Sequence, residues 1–378
     1  MENLLGNFKQ KLVEVTNKES IENENSRRPY IIGVMGDNRS DSRKVSIFSM
    51  SNYRGAVMPL VARGNTPNWD SFAPVKASDL ELMHFWVQAP HTEYTIAWAE
   101  RIINSKLKQG ASSSQIDDFI AEIYAKLYLD RIYRRNDLLA LQVGQCLSNF
   151  TLDDASNTTS GFISQGLIKQ NDIFSYKIEG LEPVIDGTVI PADYNPIKFL
   201  IDKLVTSSKS EVNEIWMGDA WATWFLSSPA WKEMHPTKLM MERKMEYTPA
   251  GTSTSVAAEG ATLLYEYDGI KFVHITKKAT VLFQADANSP VERITKPVFN
   301  SDSIISLNTE TLGSIVYCPP VFKQNPVSRM ISNNDKMNFY EVFDSVTPEK
   351  DSLYRSEGYC LGAITGTESI QRMTMKEV

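Results

Sequence analysis

The residues best suited to chemistry in this 378-residue chain are four histidines, His84, His91, His235 and His274, and three cysteines, Cys146, Cys318 and Cys360. The histidines have no metal-ligand spacing, and no C-x-x-C pairs the thiols. Carboxylates are plentiful, but none form a D-x-D cluster that would gather a cation. The phosphate-binding patterns G-x-G-x-x-G and G-x-x-x-x-G-K-[ST], the nucleophile elbow G-x-S-x-G and the zinc helix H-E-x-x-H are all absent. Catalytic groups can still be brought together by folding from distant positions, so an enzyme with a nonlocal site stays open. His84 and His274 lie within strand-like alternation and read as hydrogen-bonded strand residues. The odd, widely spaced cysteines read as reduced thiols in an intracellular environment.

Aromatic residues are the other chemical signal. Trp216, Trp221, Trp224 and Trp231 fall in one short stretch. They suit either a stacking platform for a sugar or base, or a packed core, and their helical spacing beside a strand favours the core. Trp69 differs. It sits in the polar run Arg63-Gly64-Asn65-Thr66-Pro67-Asn68-Trp69 at the tip of a long hairpin, where a large aromatic suits contact with another chain.

The elements that carry these residues follow from local pattern. Asn195 can cap a helix that starts with Pro196, and Ile197, Leu200, Ile201, Leu204 and Val205 mark its buried face. Glu211 to Met217 reads as a strand, Gly218 ends it, Asp219 can cap, and Ala220 to Leu226 is a second helix. Ser112 to Ser114, with Gln115 and Asp117, can form a capping box for a helix over 114–147. That span holds no proline and no glycine before Gly144, and predicts a rod roughly 50 Å long at about 1.5 Å per residue. Ile116, Phe119, Ile120, Ile123 and Leu127 form its first apolar stripe. The Arg131, Arg134 and Arg135 run reads as a solvated or ion-paired face.

Upstream, 1–52 is polar and reads as an arm with a short amphipathic helix near Leu4 to Val15 and an extended stretch near Tyr30 to Val34. Strands near Ala56 to Arg63 and Phe72 to Trp86 make the long hairpin. Two strands are marginal alone, so the hairpin must lie on something. Asp268-Gly269, between alternating runs, predicts a type I′ hairpin. Ser314 to Phe322 and Tyr359 to Ile364 read as further strands.

The net charge of −7 argues against a protein that grips nucleic acid through a basic face, though not against one that encloses it. The sequence has no apolar run of membrane-spanning length and no secretory signal pattern at its start.

The order of these segments resembles the major capsid proteins of tailed bacteriophages, the Hong Kong 97 type of fold, in its lambda-like branch. The resemblance is carried by V-M-P-L-V-A-R-G on the first hairpin strand, R-R-N-D-L-L-A-L-Q-V-G-Q-C-L-S at the end of the long helix, N-P-I-K-F-L-I-D-K-L, and E-I-W-M-G-D-A-W-A-T-W-F-L-S-S-P-A-W. It covers most of 46–322 and leaves 232–260 unmatched. It implies an α+β chain with an N-terminal arm over 1–52 and an extended E-loop over 53–88. A peripheral P-domain over 89–191 would carry the spine helix 114–147 and an antiparallel sheet. An axial A-domain would span 192–324, and 325–378 would return to the P-domain.

The function implied is self-assembly as pentamers and hexamers into an icosahedral shell around double-stranded DNA, in the virion, after assembly in the host bacterial cytoplasm. No enzyme activity, cofactor, metal or membrane is implied. At the E-loop tip, Arg63, Asn65, Trp69 and Phe72 are the implied intersubunit contacts, and Lys76 is placed where some members crosslink. Implied partners are further copies of the chain, a portal, a separate scaffolding protein and a decoration protein. An encapsulin-like nanocompartment that houses protein cargo is the alternative on the same fold.

Overall fold

The computed structural model describes residues 28–49, 76–90, 101, 104–106, 108–110, 112–148, 195–206, 208, 211–228, 232, 243–248, 255–283, 292–319, 328–334, 336–343, 352–365 and 369–374. The arm helix near Leu4, the hairpin tip and the sheet expected in 151–191 lie outside them.

In chain order, α1 (Tyr30–Gly33) leads to β1 (Gly36–Arg39), β2 (Lys44–Ser49), β3 (Lys76–Glu81) and β4 (Met83–Pro90), then the long α2 (Ser113–Ser148). Helix α3 (Pro196–Leu200) runs on as one π-helical turn over Ile201–Val205, and is followed by β5 (Glu214–Met217) and α4 (Asp219–Ser227). The remaining strands are β6 (Arg243–Tyr247), β7 (Val256–Tyr267), β8 (Ile270–Ile275), β9 (Lys278–Phe283), β10 (Glu292–Pro297), β11 (Ser303–Leu307), β12 (Gly313–Cys318), β13 (Ser328–Asn334), β14 (Met337–Phe343), β15 (Ser352–Ile364) and β16 (Gln371–Thr374).

Among the described residues, two six-stranded sheets organise the fold. The first runs β1-β12-β15-β14-β13, with β4 also on β15. Strand β15 is 13 residues long, and its two halves pair β14 and β12 on one side while β4 lies on the other. The second runs β16-β11-β5-β8-β7-β6, with β5 and β8 parallel. The pairs β2-β3 and β9-β10 form separate two-stranded sheets.

Local signals explain much of this. Asn195 Oδ1 accepts from the Ile197 and Lys198 amides, as its cap position requires. Ser112 and Gln115 exchange the two bonds of a capping box at the start of α2. Asp268 and Gly269 have φ of 50° and 77°, the left-handed pair that a type I′ turn needs. At α4 the cap is Gly218, not Asp219. Asp219 is the first helical residue, and its carboxylate is taken by His274.

The 36-residue α2 packs along β15 and reaches β9 and β11. Its last turns are deeply buried. Leu139, Ala140, Gln142, Val143 and Leu147 are all fully buried, the burial expected of a helix clasped between layers rather than laid on one. The main core runs from α1 and α2 through both sheets, and includes Trp216, Ile305, Ile315 and Leu361. A second core joins α3, α4, β5, β8 and β11 through Phe199, Leu200, Trp221, Phe225 and Phe272.

Several expectations are corrected. Tyr30 to Val34 is no extended stretch of arm. It starts with a one-turn helix, and Tyr30, Ile31 and Ile32 are buried because the second sheet and the long helix close over them. Lys44–Ser49, placed in the arm by its polarity, is the strand that pairs Lys76–Glu81. Met83–Pro90, read as hairpin, belongs to the first sheet. Gly313–Cys318 crosses into the first sheet, and the C-terminal Gln371–Thr374 crosses into the second. The unmatched 232–260 supplies β6 and the start of β7.

Candidate functional site

The implied intersubunit residues Arg63, Asn65, Trp69 and Phe72 lie outside the described residues, as does Trp231. What is described is the base from which the hairpin leaves. There Lys44 stands opposite Glu81 and Ser49 opposite Lys76, in antiparallel register, and the 26 residues 50–75 lie between the strands. Among the described residues, β2 and β3 have only each other as strand partners.

The described tryptophans of this stretch pack into the two cores, Trp216 into the main one and Trp221 with Trp224 into the second. Trp216 is fully buried in β5. Trp221 donates its indole N–H to the Asp302 carbonyl at 2.7 Å and meets Trp224 edge-on, with ring centres 5.4 Å apart. Trp224 in turn meets Phe199 edge-on at 5.9 Å. Trp216 and Trp221 are thus closed into packed surroundings, which favours packing over a stacking platform, while Trp224 is half-buried.

Both strand histidines are held by carboxylates. His84 lies 2.8 Å from Glu357 Oε1 and stacks on Tyr359, and His274 lies 2.7 Å from Asp219 Oδ1. Cys146, Cys318 and Cys360 are free and buried, and burial pushes the Cys146 and Cys360 thiols up to about 12, away from the thiolate that nucleophilic chemistry needs. Among the described residues, no group of three or more His, Cys, Asp or Glu is placed to hold a metal ion. No described helix is long and apolar enough to cross a membrane.

The arginine run departs from its expected role. Arg134 is exposed and pairs with Asp130 at 2.7 Å, but Arg131 and Arg135 are buried. Positions 131 and 135 are one turn apart and face the first sheet. There Arg131 donates to Ser356 Oγ at 2.7 Å, and the Arg135 guanidinium lies 5.3 Å from the Tyr317 ring centre. Burial, with Arg134 beside it, pushes the Arg131 guanidinium down to about 10. Helical spacing gave the signal for this, because Leu127 lies four residues before Arg131 and Leu139 four residues after Arg135.

Sequence reasoning missed two buried polar residues that hold elements together. Gln142 donates to the Gly362 carbonyl at 3.1 Å and accepts the Gly362 amide at 2.8 Å, so the helix continues the β15 ladder just past the point where β4 ends. Glu214 accepts the Tyr30 hydroxyl at 2.7 and 2.8 Å and the Trp216 indole N–H at 2.6 Å. Burial raises the Glu214 carboxyl above its ordinary range, opposed by those two donors and by Lys271. A carboxyl raised on folding stabilises fully below its unfolded pKa, and that contribution is lost as pH rises through the folded value. Glu214→Gln keeps an acceptor for Trp216 and offers Tyr30 a donor. The variant should therefore lose less stability than wild type as pH rises from about 4.5. Melting temperatures across pH check this, and parallel curves would contradict it.

No family model and no curated protein matches the chain. Solved structures do align with it. A prophage capsid protein from E. coli CFT073 is 10% identical over 97% of this chain and 98% of its own, with a TM-score of 0.48. The capsid asymmetric unit of cyanophage A-1(L) is 10% identical over 91% of each chain, with a TM-score of 0.42. The holo-SrpI encapsulin of Synechococcus elongatus PCC 7942 is 9% identical over 90% of this chain and 84% of its own, with a TM-score of 0.40.

Proposed function

We propose that this chain is a shell subunit of the Hong Kong 97 type, the major capsid protein of a tailed phage. It assembles as pentamers and hexamers into an icosahedral shell around double-stranded DNA. The observation that carries this reading is the hairpin base. Strands β2 and β3 pair with each other in a two-stranded sheet, and such a ribbon is marginal in water by itself. A ribbon that holds a 26-residue excursion needs a surface to lie on, and a neighbouring subunit supplies one. The long helix clasped between two sheets, in its expected place between hairpin and tryptophan module, supports the same reading.

In this reading the hairpin tip lies across the next subunit, where Trp69 and Phe72 bury apolar area and Arg63 and Asn65 make polar contacts. The net charge of −7 suits a container that must not bind its contents tightly, because dense phosphate contacts would hinder both packing and release. A portal, a separate scaffolding protein and a decoration protein complete the assembly. It forms in the host bacterial cytoplasm and ends in the virion.

Deleting Asn65 to Ser71 tests the hairpin's part. The variant should keep its circular dichroism spectrum and fail to form closed particles. Normal particles from the variant would remove the hairpin from assembly. Loss of the folded subunit would mean that the hairpin is internal core. Particle contents test the rest: nuclease-protected double-stranded DNA is expected in particles from the natural source, and a protein cargo would shift the reading to an encapsulin-like compartment.

A further inference from the structure

We infer that residues 28–39 are a conformational strap that fixes the second sheet against the first, and that the subunit fold needs this strap. The inference stands whether or not the subunit builds a shell.

The strap's first half belongs to the second sheet. The Glu259 amide of β7 donates to the Arg28 carbonyl at 3.4 Å, and Pro29 forms a parallel bridge with Glu259. Helix α1 then packs on β6, β7 and the long helix. From α1, Tyr30 reaches across to β5, donates to Glu214 and sets its ring 5.8 Å from Trp216.

Its second half belongs to the first sheet. Gly36–Arg39 runs parallel to β12, from Gly36 opposite Ser314 to Arg39 opposite Tyr317. The Ser40 amide closes on the Tyr317 carbonyl at 2.7 Å, and Asn38 donates to Ser314 Oγ at 2.9 Å.

Arg28 joins the halves. Its guanidinium donates to the Ile32 carbonyl at 3.2 and 2.9 Å, and to both Asp37 oxygens at 2.9 and 2.7 Å. Asp37 also accepts Lys336 at 2.7 Å, from the turn between β13 and β14. One bidentate pair therefore sets the bend of the strap and anchors it to the first sheet. Arg28, Tyr30, Ile31 and Ile32 are all buried, so the strap cannot lift without opening the core between the sheets.

A strap couples its ends, whereas two unrelated contacts do not. Tyr30→Phe removes a bond only at the second-sheet end, and Arg28→Met removes the joint. Hydrogen exchange read by mass spectrometry should show both variants accelerating at least tenfold in Gly36–Arg39 as well as in Glu214–Met217, while Ser352–Glu357 keeps wild-type protection. Acceleration confined to one end in Tyr30→Phe would overturn the inference. If Arg28→Met proves insoluble, the milder Tyr30→Phe decides by the same pattern.

Discussion

Gly144→Ala should destabilise the subunit, although alanine is the better helix former by about 1 kcal/mol. A Cβ at Gly144 would stand 2.2 Å from the Val298 carbonyl oxygen and 2.9 Å from its Cγ1. The long helix must then move away from the segment after β10. Overpacking of this kind costs about 1–3 kcal/mol. The same movement strains the bonds just beyond it, where Ser303 donates to the Ser148 carbonyl at 2.8 Å and the Asn300 amide donates to Ser148 Oγ at 3.2 Å. Each buried bond lost adds about 1 kcal/mol. Chemical denaturation of the variant checks the sign. A stabilised or unchanged protein would show that helix and loop do not approach as described.

Trp221→Ala should cost about 3–5 kcal/mol, the range for removing a large buried aromatic. Trp221 is 4% exposed, fills the second core against Trp224, and satisfies the Asp302 carbonyl. Thermal melting should show a large loss of stability with no separable loss of binding. A stable, folded variant would reopen the stacking-platform reading.

These two sites differ in how far the sequence revealed them. The tryptophan module was legible because its signals are local. Asn195 caps, Pro196 starts the turn, and the apolar spacing of 197–205 and 221–225 names the buried faces. The ends of the long helix were legible within a residue for the same reason. Gly144 was visible as a break in a helical pattern, but its reason was not, because Val298 lies far along the chain. The strap was misread outright. Arg28, Asp37 and Arg39 give it the composition of a solvated arm, and only the pairing of Tyr30 with Glu214, 184 residues apart, shows that it is core. The crossings of Gly313–Cys318 and Gln371–Thr374 between sheets were hidden likewise, because strand partners are chosen by tertiary packing and leave no local mark. Arg131 and Arg135 fall between these cases. Their helical phase points inward, while their charge argues outward, and Ser356 and the Tyr317 ring settle it inward.

The central claim, that this chain is made to assemble, is tested most directly by electron microscopy of the purified full-length protein. Rings of fivefold and sixfold symmetry or closed icosahedral particles are expected. A monodisperse monomer that stays monomeric as its concentration is raised would contradict it.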